Sequence, residues 1–315
     1  MKKLLFPLLF LLLFTTCGRT EELPTEPETS EPNHPAIEET VPEPSEPASA
    51  PDPETECVLV SLGDSIARGY GLANPKKEAY STLAADRITA DGIASGLAYN
   101  FGVDGQDSTE LVSYITKNPA IPEALADADY VSISIGANNF LGDAFTFLNT
   151  CTDFKRNPST TLTSKDVSEA FRKFNADVTE GVEQLREDIP QIIANIRASN
   201  EDCEILFLTC YNPYGAVNVT LDWGGAMPVN FAALSDSSVT QMNDVIRDLA
   251  DDHGYTVADV YTAFEGKAAR LVCAAPVESG DTFDPNAVDP HPNKNGHAVI
   301  ADVLVGIIEM GIIEN

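Results

Sequence analysis

Short apolar runs ending in glycine or a polar turn alternate along this chain with stretches of helical spacing, and this alternation limits the possible folds more than any other feature. Cys57-Val58-Leu59-Val60-Ser61 leads into Gly63 and predicts a first strand. Leu97 to Phe101, Tyr130 to Ile135, Glu204 to Thr209 and Thr256 to Val260 predict four more. Between them the apolar spacing predicts helices over 78–91, 108–117, 166–199 (broken at Pro190) and 236–252, with a closing helix over 295–309. Parallel strands need long crossovers, and helices supply them while covering both faces of the sheet, so the pattern implies an α/β fold. In such sheets binding groups gather at the carboxyl ends of strands. Residues that carry chemistry here should therefore follow strands.

Ahead of this body lie two segments of different character. Lys2 and Lys3 precede an apolar run from Leu4 to Phe14, which reaches Thr15-Thr16-Cys17-Gly18. A positive start and about ten apolar residues form the pattern of a secretory signal, too short for a membrane-spanning helix of roughly 20 residues. Cys17 after small residues resembles a bacterial lipobox, in which the cysteine is lipidated and becomes N-terminal. Phe14 and Thr16 depart from the preferred residues, and an ordinary signal peptide with an incidental cysteine is the other reading. From Arg19 to Glu56 come twelve acidic residues and nine prolines, with no apolar period. Such a stretch cannot bury enough apolar surface to offset its chain entropy, so it predicts a disordered spacer. The expected organisation is a signal segment over 1–17, an acidic linker over 18–56 and a folded domain over 57–315. The expected location is outside the cytoplasm, with a lipid anchor as the only membrane attachment.

Charge excludes some functions. The chain has 19 Lys plus Arg against 49 Asp plus Glu, a formal net charge of −30. A surface this negative repels phosphate backbones, which argues against nucleic-acid partners. His34, His253, His291 and His297 form no ligand pattern with the cysteines, so neither metal nor cofactor is expected. Cys57, Cys151, Cys203, Cys210 and Cys273 follow Cys17, and their pairing is left open. A monomer is expected.

Four segments follow predicted strands or precede the last helix. Gly63-Asp64-Ser65-Ile66 can hold a hydroxyl above the sheet on a tight strand-to-helix turn, although Gly-Asp-Ser is also an ordinary turn. Asn100 to Ser108 contains Gly105, whose bare backbone N–H can approach a substrate. In Gly136-Ala137-Asn138-Asn139, Asn138 can aim an amide at a developing oxyanion, or simply cap a helix. In Asp289-Pro290-His291-Pro292-Asn293, two prolines restrict the backbone around an imidazole suited to act as a base.

Taken together and in this order, the blocks resemble the SGNH (GDSL) hydrolase superfamily over about 250 residues. That resemblance implies a three-layer α/β/α sandwich around a parallel, flavodoxin-like sheet of about five strands. It implies a serine ester hydrolase working through an acyl-enzyme, with Ser65 as nucleophile and His291 as base. The amides of Ser65 and Gly105 and the Asn138 side chain would form the oxyanion hole. The implied substrates are small-molecule, lipid or carbohydrate esters. A lipase or esterase reading leads, with a carbohydrate O-acetylesterase or a non-catalytic binding module as alternatives.

Two positions depart from the family pattern. Asn139 stands where Asp is usual, at little expected cost. Val288 stands where many members carry the triad Asp, which leaves Asp289 as the expected third member, with Asp284 or a backbone carbonyl as alternatives. Asp64 is expected to brace its turn and His297 to pack at the start of the last helix. Phe140, Phe145, Phe147, Trp223, Met227 and Phe231 are candidates for an acyl pocket or, equally, for loop anchors.

Overall fold

The computed structural model describes residues 56–140, 142, 147, 164–217, 220–221, 229–274 and 289–314. Strand β1 (Glu56–Gly63) leads to three helices, α1 (Ser65–Arg68), α2 (Pro75–Glu78) and α3 (Tyr80–Ala90). Then come β2 (Ser95–Asn100), α4 (Ser108–Lys117), α5 (Ala120–Ala126) and β3 (Tyr130–Ser134). The long α6 (Ser164–Arg197) precedes β4 (Glu204–Leu208), and β5 (Thr220–Leu221) pairs antiparallel with β6 (Val229–Asn230). The chain continues through α7 (Phe231–Asp248), α8 (Ala250–His253), β7 (Thr256–Ala258), α9 (Val260–Phe264), α10 (Ala268–Leu271) and α11 (Lys294–Glu314).

Five strands form one parallel sheet in the order β2-β1-β3-β4-β7. This is the doubly wound, flavodoxin-like order, and it matches the expected fold. Strands β1, β3 and β4 are mostly apolar because both their faces are covered, with small serines (Ser61, Ser132, Ser134) as the buried polar exceptions; from Cys57 to Gly63 every residue of β1 is buried. Edge strand β2 leaves Leu97 and Tyr99 exposed. One helical layer contains α3 and α11, which pack on each other, and the other contains α4, α6 and α7 in series.

The structure corrects several boundaries. Helix α6 runs unbroken through Pro190. A proline removes one helical hydrogen bond and crowds the preceding turn. Here Ile189, Ile192, Ile193 and Ile196, all buried, hold the segment on the core from both sides of the proline. The helix expected over 236–252 begins at Phe231 and is interrupted at Leu249. The last predicted strand stops at Ala258, because Asp259 caps α9 by accepting from the Thr262 amide. The signal segment, Cys17, nearly all of the linker, Cys151, Asp284 and Val288 lie outside the described residues.

Candidate active site

Strand order reverses between β1 and β3, and a crevice opens at the carboxyl ends of such a pair. Gly63 ends β1 with φ 131°, and a Cβ built there would lie 1.9 Å from the Ser134 carbonyl oxygen of β3. Only glycine permits both the left-handed backbone and this close approach. The next amide, of Asp64, donates to the same carbonyl at 3.0 Å. Asp64 then caps α1, its side chain accepting from the Ile66 amide at 2.9 Å. Burial pushes its carboxyl up to about 7, against the pull of that hydrogen bond and of His291. Asp64 braces the turn, as expected, and Ser65 begins the helix.

The Ser65 hydroxyl meets an imidazole from the other end of the chain. His291 Nε2 lies 2.8 Å from Ser65 Oγ. On the far side of the ring, Nδ1 lies 2.6 Å from Asp289 Oδ1, which also accepts from the His291 backbone amide at 3.0 Å. A carboxylate at Nδ1 selects the tautomer protonated there and leaves Nε2 to accept the serine proton. Burial opposes the charge on Asp289, but the hydrogen bonds from the His291 ring and amide and the attraction of the imidazole outweigh it, holding the carboxyl below its usual range.

The loop that carries the imidazole is anchored along its length. The Tyr211 hydroxyl donates to the Pro290 carbonyl at 2.7 Å, and the Cys273 amide donates to the His291 carbonyl at 2.8 Å. Asn293 clasps α10 and starts α11: its side-chain amide donates to the Arg270 carbonyl, and its Oδ1 accepts from the amides of Asn295 and Gly296.

Asn138 and Gly105 belong to loops that interlock beside this line. The Val103 amide donates to the Gly63 carbonyl at 2.9 Å, hanging the loop after β2 from the end of β1. Asn138 Nδ2 donates to the Gln106 carbonyl at 2.9 Å, gripping the same loop from the end of β3. Gly105 between them is exposed and has φ 73°, and a Cβ added there would meet nothing within 4 Å. Its backbone is open to an approaching group.

Several contacts were not foreseen from the sequence. Tyr70 packs its ring on His291, with centroids 4.4 Å apart. Tyr211 supports the His291 loop through its hydroxyl. Asn139 is built into a network: its amide donates to Ser108 Oγ at 2.8 Å and to the Gly181 carbonyl at 3.0 Å, and its Oδ1 accepts from the Ser108 amide. The Ser108 hydroxyl donates its own proton to buried Asp188 at 2.7 Å. His297 is fully buried and accepts from the Tyr80 amide, in line with its expected packing role.

An almost wholly apolar cavity begins at Ala137, next to Asn138. Phe140, Phe147, Phe174, Tyr214, Phe231 and Met242 line it. Phe147 stacks on Phe174 with ring centroids 5.0 Å apart, and Tyr214 packs against Phe231 at 4.7 Å with the planes tilted by 43°. Of the aromatics expected here, Phe140, Phe147 and Phe231 take part; Phe145, like Trp223 and Met227, lies outside the described residues.

From Ser61 in β1 to Val299 in α11, a span that contains all four loops, the sequence matches the GDSL-like Lipase/Acylhydrolase family. The chain belongs to that family. As a GDSL-family hydrolase it is similar to a Bacillus subtilis (strain 168) protein, the uncharacterized protein YpmR, at 23% identity over 247 residues, 78% of either chain. Among solved structures it resembles phospholipase A1 from Streptomyces albidoflavus NA297, with TM-score 0.54 and 19% identity, covering 79% of this chain and 98% of that one. The extracellular lipase from Streptomyces rimosus gives TM-score 0.53 and 20% identity over the same shares. At these identities the two structures establish the common fold.

Proposed function

We propose that this GDSL-family hydrolase cleaves carboxylic esters by two-step acyl transfer. The observation that carries the reading is the continuous line Asp289–His291–Ser65, with donor and acceptor distances of 2.6 and 2.8 Å. His291 removes the Ser65 proton as Oγ attacks the ester carbonyl, and Asp289 holds the imidazole and favours its cationic form. The amides of Ser65 and Gly105 and the second amide hydrogen of Asn138 receive the tetrahedral oxyanion. His291 then protonates the departing alcohol. Water, deprotonated by the same ring, attacks the acyl-serine and releases the acid, restoring Ser65.

The apolar cavity beside Asn138 supports a hydrocarbon acyl group over acetyl, which would leave most of that surface unfilled. Activity outside the cytoplasm, with Cys17 as lipid anchor, is part of the proposal and rests on residues 1–17 of the sequence. A fluorophosphonate probe should label the wild-type protein and fail to label Ser65→Ala; equal labelling of the two would reject Ser65 as nucleophile. Nitrophenyl esters of graded length should be cleaved best at about eight carbons. A maximum at acetyl would instead select the carbohydrate O-acetylesterase reading.

A further inference from the structure

Tyr70 is held to the catalytic turn by its backbone. Gly69, with φ 81°, ends α1 in a left-handed cap, and the Tyr70 amide then donates to the carbonyl of Ser65 at 2.9 Å. The ring leans over the site, its centroid 4.4 Å from that of His291 and the planes 39° apart. It does so while 38% exposed, where a turn aromatic has ample room to turn away. The neighbouring Gly71 runs close to Asp289, whose Oδ2 lies 3.9 Å from the position a Cβ would occupy. The turn thus wraps over the His291–Asp289 pair.

The other groups facing the imidazole are accounted for. Asp289 takes Nδ1 and Ser65 takes Nε2. Asp64, from the cap of α1, and His297, from α11, interact with it electrostatically. Tyr211 and the Cys273 amide bind backbone carbonyls of its loop, and Arg68 is engaged by Asp104. Tyr70 is the aromatic partner of the ring among the described residues.

The geometry points to Tyr70 as a positioning residue for His291, one that holds the ring's orientation and stabilises its cationic form; this rests on reading His291 as the general base. When His291 has taken the Ser65 proton, an imidazolium lies within the ~6 Å range over which an aromatic ring attracts a cation. The attraction favours the protonated ring that each tetrahedral intermediate requires. It comes from the aromatic ring, so the phenol hydroxyl is dispensable.

The experiment compares Tyr70→Leu and Tyr70→Phe with wild type. It measures pH profiles of nitrophenyl butyrate hydrolysis and, by proton NMR, the titration midpoint of His291, assigned through His291→Gln. Tyr70→Leu should lower kcat about three- to tenfold with KM nearly unchanged, at the scale of a partly exposed cation–π contact. Losing that attraction destabilises the imidazolium, so its NMR midpoint should fall by about half a pH unit. The acid limb of kcat/KM should move down with it. Tyr70→Phe should match wild type in every respect. An unmoved midpoint in Tyr70→Leu, or a Phe variant as impaired as Leu, overturns the assignment. A wild-type protein that hydrolyses no ester would defeat the proposed function, while the NMR midpoints would still decide the case for Tyr70.

Discussion

In the proposed reaction Asn138 has two roles, one structural and one chemical. It spends one amide hydrogen on the Gln106 carbonyl, and the proposed mechanism gives the second to the oxyanion. Asn138→Ala removes both. Losing the Gln106 contact should lower stability by only about 1 kcal/mol, whereas losing an oxyanion donor should lower kcat about 100- to 1000-fold. Steady-state kinetics and a thermal melt on one preparation separate the two effects; turnover at the wild-type rate would remove Asn138 from the reaction. The candidate positions of Ser65, Asn138 and His291 were legible in the sequence because each stands near a glycine or proline that marks its turn, and the structure brings Ser65 and His291 into contact. Asp289 was legible as a candidate, two residues before its histidine. Tyr70 was not. An aromatic between two glycines looks like any surface turn, and its contact depends on how the last loop folds back over the first helix.

At the scale of elements, the junction of β3, α4 and α6 gives Asn139 a task that the Asp expected at this position could not perform. The Ser108 hydroxyl has one proton, and Asp188 accepts it. Asn139 must therefore donate to Ser108 Oγ, and it must donate again to the Gly181 carbonyl. A carboxylate can do neither. Asn139→Asp should set two carboxylates competing for one hydroxyl and leave the Gly181 carbonyl without that donor. The expected loss is about 1–3 kcal/mol in urea denaturation at neutral pH. An unchanged midpoint would show that the junction does not depend on the amide. Such pairings lie beyond local patterns, as do the limits of helices. The buried runs of β1, β3 and β4 announced themselves, because strands covered on both faces are rich in apolar residues on both, with small serines between them. Helices as short as α2 and α10 have too few turns to show a period, and Pro190 signalled a break that the packing of four isoleucines overrides.

For the molecule as a whole, the strand order that creates the crevice has no signature in any single segment; only the succession of strand-end motifs suggested it. The last helix closes that order by packing α11 on α3, and His297 lies in the seam with none of its side chain exposed. Its Nδ1 accepts from the Tyr80 amide at 3.3 Å, and Nε2 has no hydrogen-bond partner among the described residues. Burial, with the repulsion of His291, pushes this imidazole from 6.5 down to about 4. Between those two values the unfolded chain holds a proton that the folded one refuses, so stability is complete above pH 6.5 and is lost as the pH falls towards 4. At ~1.4 kcal/mol per pKa unit the loss is on the order of 3 kcal/mol. Asp64 works in the opposite sense: its raised carboxyl keeps a proton up to about pH 7 that the unfolded chain has released, so acidification through this window favours the fold there. The net slope of the wild type therefore mixes the two, and the test must be differential. His297→Asn keeps an acceptor for the Tyr80 amide and removes the titration. Urea denaturation at about pH 7.5 and about pH 4.5 should show the wild type losing about 2–3 kcal/mol more than the variant across that interval. Parallel pH dependences would mean that the seam between α3 and α11 admits the charged ring at no cost to the fold.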